Sequence, residues 1–162
     1  MKRYSSAARF ALAVLTVVGL AGPVAAEEQV PFKGSLDGIV TVTGTPPIVS
    51  VLVNASGNAT HLGQFTLAIP YLANRTTSTV TGSYHFTAAN GDTLSADFTG
   101  QGTPTTTPGV RSLVETATIT GGTGRFAGAT GSFTAERLFN TIAGTTTGSF
   151  NGTISSIGSS NR

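Results

Sequence analysis

Beyond about residue 30, apolar and polar residues alternate along most of the chain with a period of two. This is the spacing of a β-strand with one face in a core and the other in water. Phe65, Leu67, Ile69 and Tyr71 fall on one side of such a strand, and Gln64, Thr66 and Ala68 on the other. Val80, Tyr84, Phe86 and Ala88 repeat the pattern, and Leu94, Ala96 and Phe98 resume it after Asn90-Gly91, a dipeptide suited to a tight hairpin turn. The same reading predicts strands over residues 32–43, 49–56, 110–120, 130–139 and 146–155, which makes eight in all. Pro46-Pro47 and residues 102–109, with Pro104 and Pro108, read as loops between strands. An open sheet leaves unpaired edges, so eight sequential strands close most economically into an antiparallel barrel. The predicted fold is therefore all-β, an eight-stranded antiparallel β-barrel, with a β-sandwich as the runner-up.

The N-terminus breaks this pattern. Lys2, Arg3 and Arg9 lead into the apolar run ALAVLTVVGLAG, followed by Pro23 and the small residues Val24, Ala25 and Ala26. That order is a signal peptide over residues 1–26, cleaved before Glu27, and the run is too short for the roughly 20 apolar residues of a membrane span. The expected location is periplasmic or secreted, with residues 27–162 as one β-barrel domain. Cleavage changes the charge balance, because three of the nine basic residues leave and the remaining six face seven acidic ones. Those six, Lys33, Arg75, Arg111, Arg125, Arg137 and Arg162, are scattered singly, so no nucleic-acid partner is expected. Cysteine is absent, which excludes a disulfide framework and thiolate metal ligation. His61 and His85 are the two histidines, too few for a structural zinc site, and no metal or cofactor is expected.

Strand parity nominates three polar residues for the barrel interior. Glu115 shares its face with Leu113, Ala117 and Ile119, and Arg137 shares its face with Phe133, Ala135 and Phe139. A hairpin centred near Gly124 to Phe126 brings the two within reach of a salt bridge. His61 joins them if its strand runs unbroken through Gly63. In a catalytic reading Glu115 moves a proton, tuned by Arg137, with His61 as a second polar group. In the simpler reading the ions satisfy each other and the histidine is a hydrogen-bonded core residue. Asp97 and His85 fall on solvated faces, while Asp37, Asp92 and Arg75 are placed in turns or at strand ends. No G-x-S-x-G nucleophile elbow is present. Asn54, Asn58, Asn74 and Asn151 form Asn-x-Ser/Thr sequons, which a threonine-rich chain generates by chance, and glycosylation is not predicted.

Gly122, Gly124 and Ala127 match the G-x-G-x-x-A dinucleotide pattern, but residues 129–134 read as a strand where that fingerprint needs a helix. The expected structure is a turn with Phe126 packed down as a plug. Three segments echo one another, Thr81-Gly82-Ser83-Tyr84, Thr130-Gly131-Ser132-Phe133 and Thr147-Gly148-Ser149-Phe150, at a spacing too irregular for a solenoid. The stretch Ile119-Thr120-Gly121-Gly122-Thr123-Gly124-Arg125-Phe126, followed by Gly128, Ala129 and Gly131, resembles the G-G-T-G-[KR]-F segment of the allene oxide cyclase and dirigent barrel group. Residues 60–66, THLGQFT, look like phrases in exported bacterial barrels of this class. The resemblance implies an eight-stranded barrel with an apolar cavity, often trimeric, whose members act without metal or organic cofactor. Two functional readings follow. One is an exported, non-catalytic barrel binding a small apolar or lipid-like ligand; the other is a cofactor-free cyclase or isomerase acting on a small hydrophobic substrate.

Overall fold

The computed structural model describes residues 28–155, and the expected signal peptide lies outside them. Eight strands follow one another as β1 (Gln29–Thr43), β2 (Ile48–Ala59), β3 (Gly63–Asn74), β4 (Thr79–Ala88), β5 (Thr93–Pro104), β6 (Val110–Gly122), β7 (Gly131–Asn140) and β8 (Thr145–Ser155). Every neighbouring pair is antiparallel, and β8 pairs with β1 to close the barrel. Closure removes the free edge that an eight-stranded sheet would expose. The strands follow the alternation of the sequence, with most apolar residues buried and most Thr, Ser and Asn outside, although Ile39, Leu52, Leu72, Val114 and Leu138 are exposed and Thr146 is buried. Two expectations change. Gly102 to Pro104 belong to β5, because Gly102 pairs with Leu113 and Pro104 with Arg111, so the loop is confined to residues 105–109. Asp37 lies in the middle of β1, exposed, opposite Ser56 and Thr147.

The two ends of the barrel are built differently. At one end a short 3-10 turn, Gly124–Phe126, drops the fully buried Phe126 ring into the barrel, and β7 follows with no helix between. Gly121, Gly124 and Gly128 all have positive φ there, the conformation expected of this turn. The dinucleotide reading is thereby excluded. Arg125 bonds the Leu62 carbonyl at 3.3 Å, pairs with Asp92 at 3.7 Å and lies 5.0 Å from the Phe126 ring centroid. Turns β2–β3, β4–β5 and β6–β7 are thus tied together over a closed end. At the other end the four remaining loops leave an open mouth.

Between the ends, Phe32, Phe65, Tyr84, Phe86, Phe133 and Phe150 fill the interior with centroids about 5–6 Å apart. Room for them comes from glycines on the inner face. Gly34 faces Phe150, Gly57 faces Phe65, Gly82 faces Tyr71, and Gly152 faces Phe133 across the ladders. These glycines have ordinary extended backbones, and it is the missing β-carbon that matters. A Cβ on Gly57 would stand 1.9 Å from the Ser35 carbonyl oxygen and 2.8 Å from the Phe65 ring. The Thr-Gly-Ser-aromatic echo now has a cause. In each copy an inward glycine sits two residues before an inward aromatic, the large–small alternation of a small barrel's core.

Candidate functional site

Below the mouth, the inward faces of β4, β6 and β7 bring Tyr84, Glu115 and Arg137 together. Glu115 pairs in register with Ala135 and Leu113 with Arg137, so the two ions sit diagonally on one face of the β6–β7 ladder. Both side chains are fully buried. Arg137 Nε donates to Glu115 Oε2 at 3.0 Å and Nη2 donates to Oε1, a bidentate fork of the kind a guanidinium forms best. The Tyr84 hydroxyl donates to the same Oε2. Space for these long side chains again comes from glycine, because Gly100 faces Glu115 and Gly148 faces Arg137. Tyr71 lies above, with the Arg137 guanidinium carbon 5.6 Å from its ring centroid. Arg137 Nη1 is buried and has no hydrogen-bond partner.

Burial works against the Arg137 cation, but the Glu115 charge and its hydrogen bonds outweigh it and raise the guanidinium pKa. Burial raises the Tyr84 phenol well above the usual tyrosine range, and the adjacent Glu115 carboxylate adds to the effect. An unfolded tyrosine loses its proton near pH 10, whereas folded Tyr84 keeps it. Above about pH 10 the unfolded state therefore holds fewer protons, and stability that is fully present below that pH is lost as pH rises. Tyr71 is raised by burial too and acts in the same direction. Urea unfolding at a series of pH values should show Tyr84→Phe losing less stability than the parent between roughly pH 10 and 11.5. An identical slope would contradict a folded-state shift at this hydroxyl.

The mouth lies above this cluster. A small cavity of about 50 Å³ is lined chiefly by Val51, Tyr71, Val80, Leu113 and Phe139, with Arg75 and Arg111 at its polar part. An open depression of about 610 Å³ adjoins it and shares Arg75, Arg111 and Phe139. The smaller part holds a few waters or the end of a ligand, whereas the open part reaches the size of small-molecule sites. Arg111 Nη2 donates to Ser78 Oγ at 3.1 Å and to the Gly102 carbonyl at 3.2 Å, which holds its guanidinium in place.

Two of the three nominated residues, Glu115 and Arg137, meet as strand parity predicts. His61 does not join them. The strand breaks where His61 and Gly63 both take positive φ, 66° each, and the histidine stands exposed in the β2–β3 turn at the closed end. Arg111 and the Tyr84 hydroxyl were missed. Carrying the β6 alternation one step back from Leu113 places Arg111 on the inner face, and Tyr84 already stood among the inward residues of β4. His85 and Asp97 are exposed on outer faces, as expected. Among the described residues no three His, Asp or Glu side chains gather into a metal-binding group.

The chain matches no family model and no curated relative. Among solved structures it is similar to the pterocarpan synthase dirigent protein PsPTS1, with a TM-score of 0.58 and 13% identity over 81% of this chain and 97% of that one. The pterocarpan synthase dirigent protein GePTS1 gives a TM-score of 0.56 and 14% identity over 87% and 96%. The barrel is dirigent-like. At such low identity the likeness concerns the fold, and the residues of the mouth speak for themselves.

Proposed function

We propose that this protein is an exported, non-catalytic barrel that binds a small, largely apolar molecule at its open mouth. The observation that carries the reading is a small, partly open apolar cavity adjoining a wider depression, the two sharing Phe139, Arg75 and Arg111 in their walls. It gives an apolar end-pocket and a wider groove, the pattern of a ligand site in the mouth of a small barrel. The Tyr84–Glu115–Arg137 cluster lies deeper, beneath Tyr71, and lines neither the cavity nor the depression. Both Glu115 oxygens are engaged by buried donors, an arrangement suited to holding the barrel rather than to exchanging protons with a substrate.

Native mass spectrometry of protein taken from its exported fraction, before and after organic extraction, tests this directly and counts subunits. A retained hydrophobe is expected, along with saturable binding of the neutral probe N-phenyl-1-naphthylamine that Ala73→Trp, at a half-buried residue of the cavity wall, abolishes while the fold persists. Absence of both, or binding untouched by that substitution, would remove the mouth as the site. The same spectra report whether the trimer implied by the resemblance forms, and an N-terminus at Glu27 would support export.

A cofactor-free cyclase or isomerase is the second reading; it needs Glu115 and Arg137 to reach the substrate, and neither lines the cavity or the depression. It requires turnover of a small hydrophobic substrate to be lost in Glu115→Gln with mouth binding intact.

A further inference from the structure

The charges of the described residues are unevenly partnered. Asp92 pairs with Arg125 at the closed end and Glu115 pairs with Arg137 inside the barrel. Glu28 precedes β1 near the closed end, Asp37 and Glu136 point outward from β1 and β7, and Asp97 accepts a hydrogen bond from Ser83 on the outer wall. Among the described residues no acidic side chain lines the mouth, yet Arg75 and Arg111 both do, against walls of Val51, Tyr71, Val80, Leu113 and Phe139. Two guanidiniums without a counter-ion among the described residues, Arg75 exposed and Arg111 half-buried, give the mouth a local positive potential beside its apolar wall.

Two further details point the same way. The bonds that fix Arg111 use only its Nη2, so the rest of its donor fork remains available to an acceptor from the mouth. Beneath Tyr71, which lines the cavity, Arg137 Nη1 is a buried donor with no partner. Positive charge is thus stacked along the axis from the buried cluster to the rim, and only the cluster's is neutralised.

We infer that Arg75 and Arg111 are specificity-determining residues that select an organic anion, an apolar body ending in a single carboxylate, over neutral molecules of the same shape. The inference rests on the mouth being the binding site. The apolar body lies against Phe139, Leu113 and Val80, and the carboxylate accepts from the two guanidiniums at the rim. Charge-assisted, forked hydrogen bonds at a partly desolvated rim favour the anion over an isosteric alcohol, which can satisfy neither cation.

The test uses a matched pair of probes, 4-phenylbutyrate and 4-phenylbutanol, titrated into ¹⁵N-labelled protein and followed by the amide and arginine side-chain resonances. The expected result is at least tenfold tighter binding of the carboxylate, with shifts at the mouth residues. Arg75→Gln, at an exposed turn position where folding is not at stake, should erase most of that preference, and Arg111→Lys should weaken it by losing the fork while keeping the charge. Equal affinities for the two probes, or a preference unchanged in Arg75→Gln, would overturn the inference while leaving the mouth as a site for neutral ligands. If neither probe perturbs the mouth, the binding reading and the inference fall together.

Discussion

Arg137→Ala is expected to lower the unfolding free energy by about 3–5 kcal/mol, because it leaves the Glu115 carboxylate buried with only the Tyr84 hydroxyl to satisfy it. The loss does not measure what the ion pair contributes relative to an apolar core. Removing two charges from water costs several kcal/mol for each ion, and the pair recovers this only through its fork and the tyrosine. A triple variant, Arg137→Met with Glu115→Leu and Tyr84→Phe, removes every partner at once and should regain most of the single variant's loss. Urea denaturation with matched m-values makes the comparison. If the triple variant is as unstable as Arg137→Ala, the damage comes from lost packing and not from an orphaned charge. Retention of mouth binding by a folded triple variant would further separate the cluster's structural role from the site above it.

Gly100→Ala and Gly148→Ala are each expected to destabilise the protein by roughly 1–3 kcal/mol, lowering Tm by about 4–15 °C. In an ordinary strand, alanine for glycine is stabilising, since it restricts the unfolded chain and suits the extended backbone. Here the sign reverses. A Cβ at Gly100 would lie 2.5 Å from the Val114 carbonyl oxygen and 2.7 Å from Glu115 Cγ, and at Gly148 it would lie 2.5 Å from the Glu136 carbonyl oxygen and 2.7 Å from Arg137 Cγ. The backbone oxygens cannot move without breaking the ladder, so the β5–β6 or β7–β8 pairing must open or the ion pair must shift. Thermal melts with Ser149→Ala, at the outward neighbour of Gly148, provide the control. A stabilised Gly148→Ala variant would mean that the barrel wall has slack this packing does not show.

The candidate site was partly visible before folding was considered. Glu115 and Arg137 announce themselves because the backbone pleat sends alternate side chains to opposite faces, so a charged residue in an otherwise apolar series must point inward. The same rule places Arg111 on the inner face, because it continues the alternation of β6 one step before Leu113. His61 shows where the rule stops. It holds only while the backbone stays extended, and a turn in which both His61 and Gly63 take positive φ cancels it. Glycine was the least legible residue type. Several glycines inside predicted strands, such as Gly34, Gly82, Gly148 and Gly152, gave no sign of their role, yet they line the barrel wall because a neighbour's side chain occupies the place of their Cβ.

The alternation along the chain by itself determined that this is an eight-stranded all-β protein, and which side chains face its core, because that information is local to each strand. Only the tertiary structure decided that Tyr84 reaches Glu115 from two strands away, that Gly100 and Gly148 make room for the ion pair, and that Arg75 and Arg111 line one mouth. Those outcomes depend on closure, strand tilt and the register between strands, which are properties of pairs of strands distant in sequence and leave no trace in the pattern of any one of them.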